Sequence, residues 1–130
     1  MNSQTEQDVE YLTSEGRRGL PFSEAVRVGR TLYLSGQIGV DDSLKLVPGG
    51  IAAETRQTME NIKATLERHG SSLDRIAKVT VMLADIGEWS EMNRVYVTFF
   101  PDHLPARTAL GTSGLVLGAR VEIECLAVLP

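Results

Sequence analysis

Cysteine is almost missing from this chain. Cys125 is the single one in 130 residues, so no internal disulfide can form and no metal site can draw on paired thiolates. A reducing compartment fits. Histidine is nearly as scarce: His69 and His103 lie far apart, and neither a His-x-x-x-His nor a Cys-x-x-Cys spacing occurs, so no metal is expected. His69 should sit in the last turn of a helix and His103 in a loop as a solvated side chain. Long apolar runs are missing too, and the first twenty residues hold no apolar signal core. No membrane partner and a cytoplasmic location are therefore expected.

Positive charge is in deficit, with 13 Lys plus Arg against 17 Asp plus Glu and a net charge of -4. That balance lacks the basic footprint of phosphate-backbone binding, so nucleic acid is not an expected partner. No Gly-x-Ser-x-Gly elbow is present for a nucleophilic serine, and no Gly-x-Gly-x-x-Gly or Gly-x-x-x-x-Gly-Lys loop for phosphates. Cys125 falls on a core-facing position, where a thiol is inert.

What is present suits one domain over 1–130, with 42% hydrophobic residues to build a core. Val9 to Thr13 reads as a short edge strand and Ser14 to Pro21 as a loop. Ala25 to Val28 and Leu32 to Ile38 read as a hairpin joined by Gly29-Arg30. Leu32 and Leu34 share one face, Tyr33 and Ser35 the other, and Gly36 ends the clean alternation. Asp41 to Gly50, with Asp-Asp-Ser and Pro-Gly-Gly, is a turn-rich loop.

Ile51 to His69 carries helical spacing in Thr55, Met59, Ile62 and Leu66, stopped by Gly70. After a turn at Ser71 to Asp74, Ile76 to Ala84 is a strand with Ala77, Val79, Val81 and Leu83 on one face. Trp89 to Phe100 is a second helix with Met92, Val95, Tyr96 and Phe99 as its apolar stripe, closed by Pro101. Ala106 to Thr112 and Arg120 to Val128 are the last strands. Two helices must pack on one face of a mixed sheet, an α+β arrangement. The last strand then leaves Glu122, Glu124, Leu126 and Val128 on an uncovered face, which suggests a subunit interface with a polar site at its margin.

Pro105-Ala106-Arg107-Thr108-Ala109-Leu110 and, fifteen positions after the arginine, Glu122 are the residues left to carry chemistry. An arginine in a small, apolar strand is costly to bury without an anion, and its planar fork suits a carboxylate. Two readings stand open on residue types: a carboxylate clamp, and a structural salt bridge from Arg107 to Glu122 or Glu124.

From about Pro21 to Val128 the chain resembles the RidA (YjgF) family. The carriers are Pro21-Phe22-Ser23-Glu24-Ala25-Val26, Leu34-Ser35-Gly36-Gln37-Ile38, the run from Thr55 to Ile62, Asn93, Tyr96, Phe99-Phe100, Pro105-Ala106-Arg107 and Val121-Glu122-Ile123-Glu124. The resemblance implies a chorismate-mutase-like fold, assembled as a homotrimer with sheets facing inward and active sites between subunits. It implies cofactor-independent hydrolysis of reactive 2-imino acids such as 2-iminobutanoate and 2-iminopropanoate to 2-keto acids and ammonia.

By that resemblance Arg107 binds the carboxylate of the small substrate, and Glu122 positions or activates water. Ser35, Gly36 and Asn93 line the cleft, and Thr108 and Ala109 offer backbone groups. Two residues depart from the pattern: Ala109 stands where many members carry cysteine, and Phe22 where many carry tyrosine. A mechanism that needs that thiol is thereby ruled out. Two other functions compete with imine hydrolysis: a non-catalytic module binding small carboxylated metabolites, and an endoribonuclease, which the acidic charge and the lack of clustered aromatics oppose.

Overall fold

The computed structural model describes residues 8–14 and 19–130; residues 15–18 of the expected Ser14 to Pro21 loop lie outside the described residues. Among the described residues, seven strands and two α-helices follow one another as β1 (Val9–Leu12), β2 (Ala25–Val28), β3 (Thr31–Leu34), β4 (Gln37–Ile38), α1 (Gly50–Arg68), β5 (Ile76–Leu83), α2 (Trp89–Tyr96), β6 (Ala106–Gly111) and β7 (Val121–Val128). The strands form one sheet in the order β1-β2-β3-β7-β5-β6, with β4 pairing β7 beyond the end of β3. All pairings are antiparallel except β5 with β6, so the sheet is mixed and the architecture α+β.

Both helices cover one face. Thr55, Met59, Ile62 and Leu66 of α1 are fully buried, as a stripe recurring every three or four residues requires. They pack on the alternate residues Val121, Ile123, Cys125 and Ala127 of β7 and on Leu32 and Leu34 of β3. Burial pushes the Cys125 thiol up to about 12, so it stays protonated in the core. α1 ends in a Schellman turn: Ser71 donates to the Leu66 carbonyl and Gly70, at φ 88°, to that of Glu67. No helix among the described residues is long and apolar enough to cross a membrane.

Three expectations are corrected. The expected strand Leu32 to Ile38 is two, because the chain leaves β3 at Ser35-Gly36 and rejoins β7 as β4. The second helix is α-helical only to Tyr96 and tightens into a 3₁₀ turn at Val97–Phe99. Ala77 is exposed instead of facing the core with Val79, Val81 and Leu83. A β-bulge opposite β7 sets Ile76 and Lys78 against adjacent residues Ala127 and Leu126, so Ala77 is the extra residue and Ile76 takes the core position.

His69 caps α1 and does more than an ordinary last-turn imidazole. Its Nε2 lies 2.6 Å from the buried carboxylate of Glu24, and Arg68 donates to the other oxygen at 2.8 Å. Burial opposes charge on Glu24, but the hydrogen bonds from Arg68 and His69 outweigh it and hold the carboxyl below its ordinary 4.5. A group with a depressed folded pKa stabilises above its unfolded pKa and loses that contribution as pH falls through the folded one. Glu24→Gln is therefore expected to cost about 2 kcal/mol at neutral pH. Urea melts should show wild type and variant converging as pH drops below 4.5; a gap that stays constant would refute the linkage.

Candidate functional site

Arg107 lies on β6, the edge strand, opposite Val79 of β5 and on the same side of the sheet as α2. α2 brings Trp89, Asn93 and Tyr96 onto one face through their i, i+4, i+7 spacing. The guanidinium donates to Asn93 Oδ1 at 2.7 Å. It stands 4.9 Å from the Tyr96 ring centroid and 5.8 Å from that of Trp89, within reach of cation–π attraction. Burial pushes the Tyr96 hydroxyl up to about 12, so it remains neutral beside the cation, and among the described residues it has no hydrogen-bond partner. A cavity of about 260 Å³ opens here between α2 and Leu104-Pro105. Among the described residues Arg107 thus has one amide partner and two ring faces but no carboxylate, which leaves further donors of the fork to meet one.

Glu122 belongs to a different place. It lies opposite Ile38 of β4 and Met82 of β5, on the sheet face that the helices leave open. The break between β3 and β4 brings Ser35 and Gly36 beside it. A Cβ on Gly36 would run into the end of the Glu122 side chain, so a larger residue there would push the carboxylate out of its observed place. The Ser35 hydroxyl is committed to the Ser23 carbonyl at 2.6 Å. Partial burial first, and the Glu124 charge second, push the Glu122 carboxyl above its ordinary value. A cavity of about 370 Å³ spreads from Glu122, Ser35 and Gly36 to Leu20, Phe22, Leu44, Val116 and Leu117.

The candidate residues therefore form two groups: Arg107 with Asn93 on the helix side of the edge strand, and Glu122 with Ser35, Gly36 and Phe22 on the open side. Thr108 points to the open face and accepts a hydrogen bond from Lys78, while Ala109 packs against the core. The salt bridge from Arg107 to Glu122 or Glu124 does not exist within the chain, because arginine and glutamates face opposite sides of the sheet. For the same reason, Arg107 does not favour the ionised form of Glu122 inside one chain; burial and Glu124 raise its pKa instead.

Sequence reasoning missed the aromatic shelf under Arg107, although the Trp89, Asn93, Tyr96 spacing carried the signal. It also missed Leu44 and Leu117, for which no sequence signal existed. His69 is engaged by Glu24, and His103 Nε2 contacts the Asp74 carbonyl at 2.9 Å. The two imidazoles therefore do not form a pair.

The family model described as Endoribonuclease L-PSP matches residues 17–129. Over 109 residues the chain is 44% identical to the 2-iminobutanoate/2-iminopropanoate deaminase of Mus musculus, covering 83% of this chain and 81% of that one. The crystal structure of YEO7 from yeast superposes with a TM-score of 0.89 at 38% identity, over 95% of this chain and 100% of that one. TdcF of E. coli, crystallised with bound serine, superposes with a TM-score of 0.85 at 28% identity, over 93% of this chain and 100% of that one.

Proposed function

The chain belongs to the endoribonuclease L-PSP family, also known as the RidA (YjgF) family, and from that membership and its two half-sites we propose that it hydrolyses reactive 2-imino acids in clefts shared between copies of itself. The activity named for the mouse relative is deamination of 2-iminobutanoate and 2-iminopropanoate. The observation that carries the reading is an arginine held on an aromatic shelf with no carboxylate partner among the described residues, together with a raised glutamate beside a glycine gap. Serine, the ligand of the TdcF structure, is likewise a small molecule with a carboxylate that an arginine can hold.

One chain cannot bring Arg107 and Glu122 to one substrate, since they sit on opposite sides of the sheet. A second copy can. The open face carries the exposed apolar side chains Tyr11, Val28, Tyr33 and Leu110, a patch that a neighbouring sheet would cover. In a homotrimer closed on these faces, the β6 edge of one copy meets the Glu122 cavity of the next. The lone buried thiol suits a reducing, cytoplasmic setting.

Arg107 of one subunit takes the substrate carboxylate, with Asn93 fixing the fork and the backbone of Thr108 and Ala109 beside it. Glu122 of the neighbour accepts a proton from water as the oxygen bonds to the imine carbon. With the imine protonated, its nitrogen becomes the amino group of a carbinolamine, to which Glu122 returns that proton. As the C–N bond breaks with its electron pair leaving on nitrogen, the carbinolamine hydroxyl gives its proton through Glu122 to the departing ammonia, and ammonium leaves with the 2-keto acid. One water is consumed, and Glu122 ends as it began. An imine hydrolyses unaided, so positioning and proton transfer worth about 10²-fold suffice. An endoribonuclease reading is opposed by the net charge of -4 and by the separate engagement of the two histidines.

Imine generated from threonine by a dehydratase should release 2-oxobutanoate faster when this protein is added, and light scattering should give three times the chain mass. Failure to accelerate the hydrolysis of this and of every other 2-imino acid would end the enzymatic reading; a monomer would end the shared cleft. Gly36→Ala should lower kcat by about 10-fold or more, because the new methyl displaces the Glu122 carboxylate from its working position. A fully active Gly36→Ala enzyme would show that the observed place of the Glu122 carboxylate is not the one the chemistry needs.

A further inference from the structure

We infer that the cavity beside Glu122 selects 2-imino acids with a branched or aromatic apolar side chain, such as isobutyl or benzyl, over those with methyl or ethyl. This rests on the imine-hydrolase reading and names the substrate class for it. Among the described residues only two that are not glycine adopt left-handed backbone: Leu44 at φ 62° and Leu117 at φ 60°. Both line this one cavity, from separate loops.

A leucine in that conformation suffers a clash of its Cβ with the backbone that glycine would avoid. The Leu117 loop does use glycine at its other left-handed positions, Gly114 and Gly118. Core packing does not account for either leucine, since Leu44 is 41% and Leu117 64% exposed. What the strain achieves is to set two large apolar side chains facing Phe22 and Val116 around the cavity. Strain held in two separate loops at one cavity points to function there.

The lining combines the polar side chains of Glu24, Ser35, Gln37 and Glu122 with an otherwise apolar wall. A substrate whose imine carbon is at Glu122, and whose carboxylate reaches the Arg107 of a neighbouring copy, must send its side chain along that wall. The volume of about 370 Å³ falls in the range of whole-ligand pockets, roughly 300–1,000 Å³. An ethyl group would leave most of it wet, whereas isobutyl or benzyl would bury against Phe22, Leu44 and Leu117.

Imines made in place by an L-amino acid oxidase from leucine, phenylalanine, alanine and 2-aminobutyrate, with catalase present, give the comparison directly. The expected result is a kcat/KM for the leucine- and phenylalanine-derived imines about 10-fold or more above that for the 2-aminobutyrate-derived one, the gain of burying further carbons. In calorimetry, 4-methyl-2-oxopentanoate should bind more tightly than 2-oxobutanoate by a similar factor. Leu44→Gly with Leu117→Gly suits the backbone, so the fold should hold, and it should bring both ratios close to unity.

Hydrolysis of the small imines at the same or higher kcat/KM than the large ones overturns the selectivity while leaving the imine reading intact. Absence of hydrolysis for every imine, with the keto-acid binding ratio as expected, overturns the enzymatic reading and leaves the apolar selection standing. Ratios that survive the double glycine variant overturn the assignment to the two leucines.

Discussion

An Arg107→Ala variant is expected to lose about 10²- to 10³-fold in kcat/KM toward 2-imino acids, the loss that truncating a charged, hydrogen-bonded partner of an anion brings. Most of it should appear in KM, because the arginine grips a carboxylate that is unchanged between substrate and transition state. The geometry makes the residue hard to replace. One donor is spent on Asn93 Oδ1, and the plane lies near the Tyr96 and Trp89 rings, which leaves the outward edge of the fork to make two parallel hydrogen bonds. Arg107→Lys keeps the charge but loses that edge, so it should recover only part of the loss.

Stability should fall by only about 1 kcal/mol in the alanine variant, since the described residues give Arg107 ring contacts and one amide but no ion pair. Trp89 is the single tryptophan of the chain and stands beside the guanidinium. Its emission should shift as a keto acid is titrated into wild type and stay flat in Arg107→Ala. An alanine variant with wild-type KM and an unchanged Trp89 response would remove the carboxylate clamp.

The parts of the fold that the sequence makes legible are those in which burial follows a single period. α1 is one case, because Thr55, Met59, Ile62 and Leu66 repeat at helical spacing and nothing competes with that stripe. β7 is another, alternating buried Val121, Ile123, Cys125 and Ala127 with half-exposed or exposed neighbours. The β5 bulge is hidden, since alternation shows which residues share a face but not where a partner strand skips one, and small Ala77 is tolerated on either side.

The site is legible in residue type and not in arrangement. Arg107 and Glu122 stand out as a cation in an apolar strand and a carboxylate in an alternating one. Their faces depend on strand order, with β5 between β6 and β7, and no spacing of fifteen residues encodes that. Leu44 and Leu117 carry no mark, because their left-handed backbone is imposed by the loops around them and leucine is not a residue that signals it.

Glu122→Gln is expected to lower kcat by about 10²-fold or more with little change in KM, the mirror of the arginine variant, because glutamine fills the same space and cannot accept the proton. The pH profile should identify the group. Glu122 works ionised, and burial and Glu124 raise its pKa above the ordinary 4.5, so kcat/KM should fall as pH drops through that raised value. Removing one of the two raising influences with Glu124→Gln should move the acid limb to lower pH; an unmoved limb would assign it elsewhere. The sharpest test of the site uses two dead enzymes. Arg107→Ala keeps a working Glu122 and Glu122→Gln keeps a working Arg107, so a cleft formed between copies is whole wherever the two variants meet in the right order. Refolded together in equal amounts, they should regain about one quarter of wild-type activity in a closed threefold ring. A site contained within one chain predicts no recovery at all, because every chain in the mixture lacks one of its two groups.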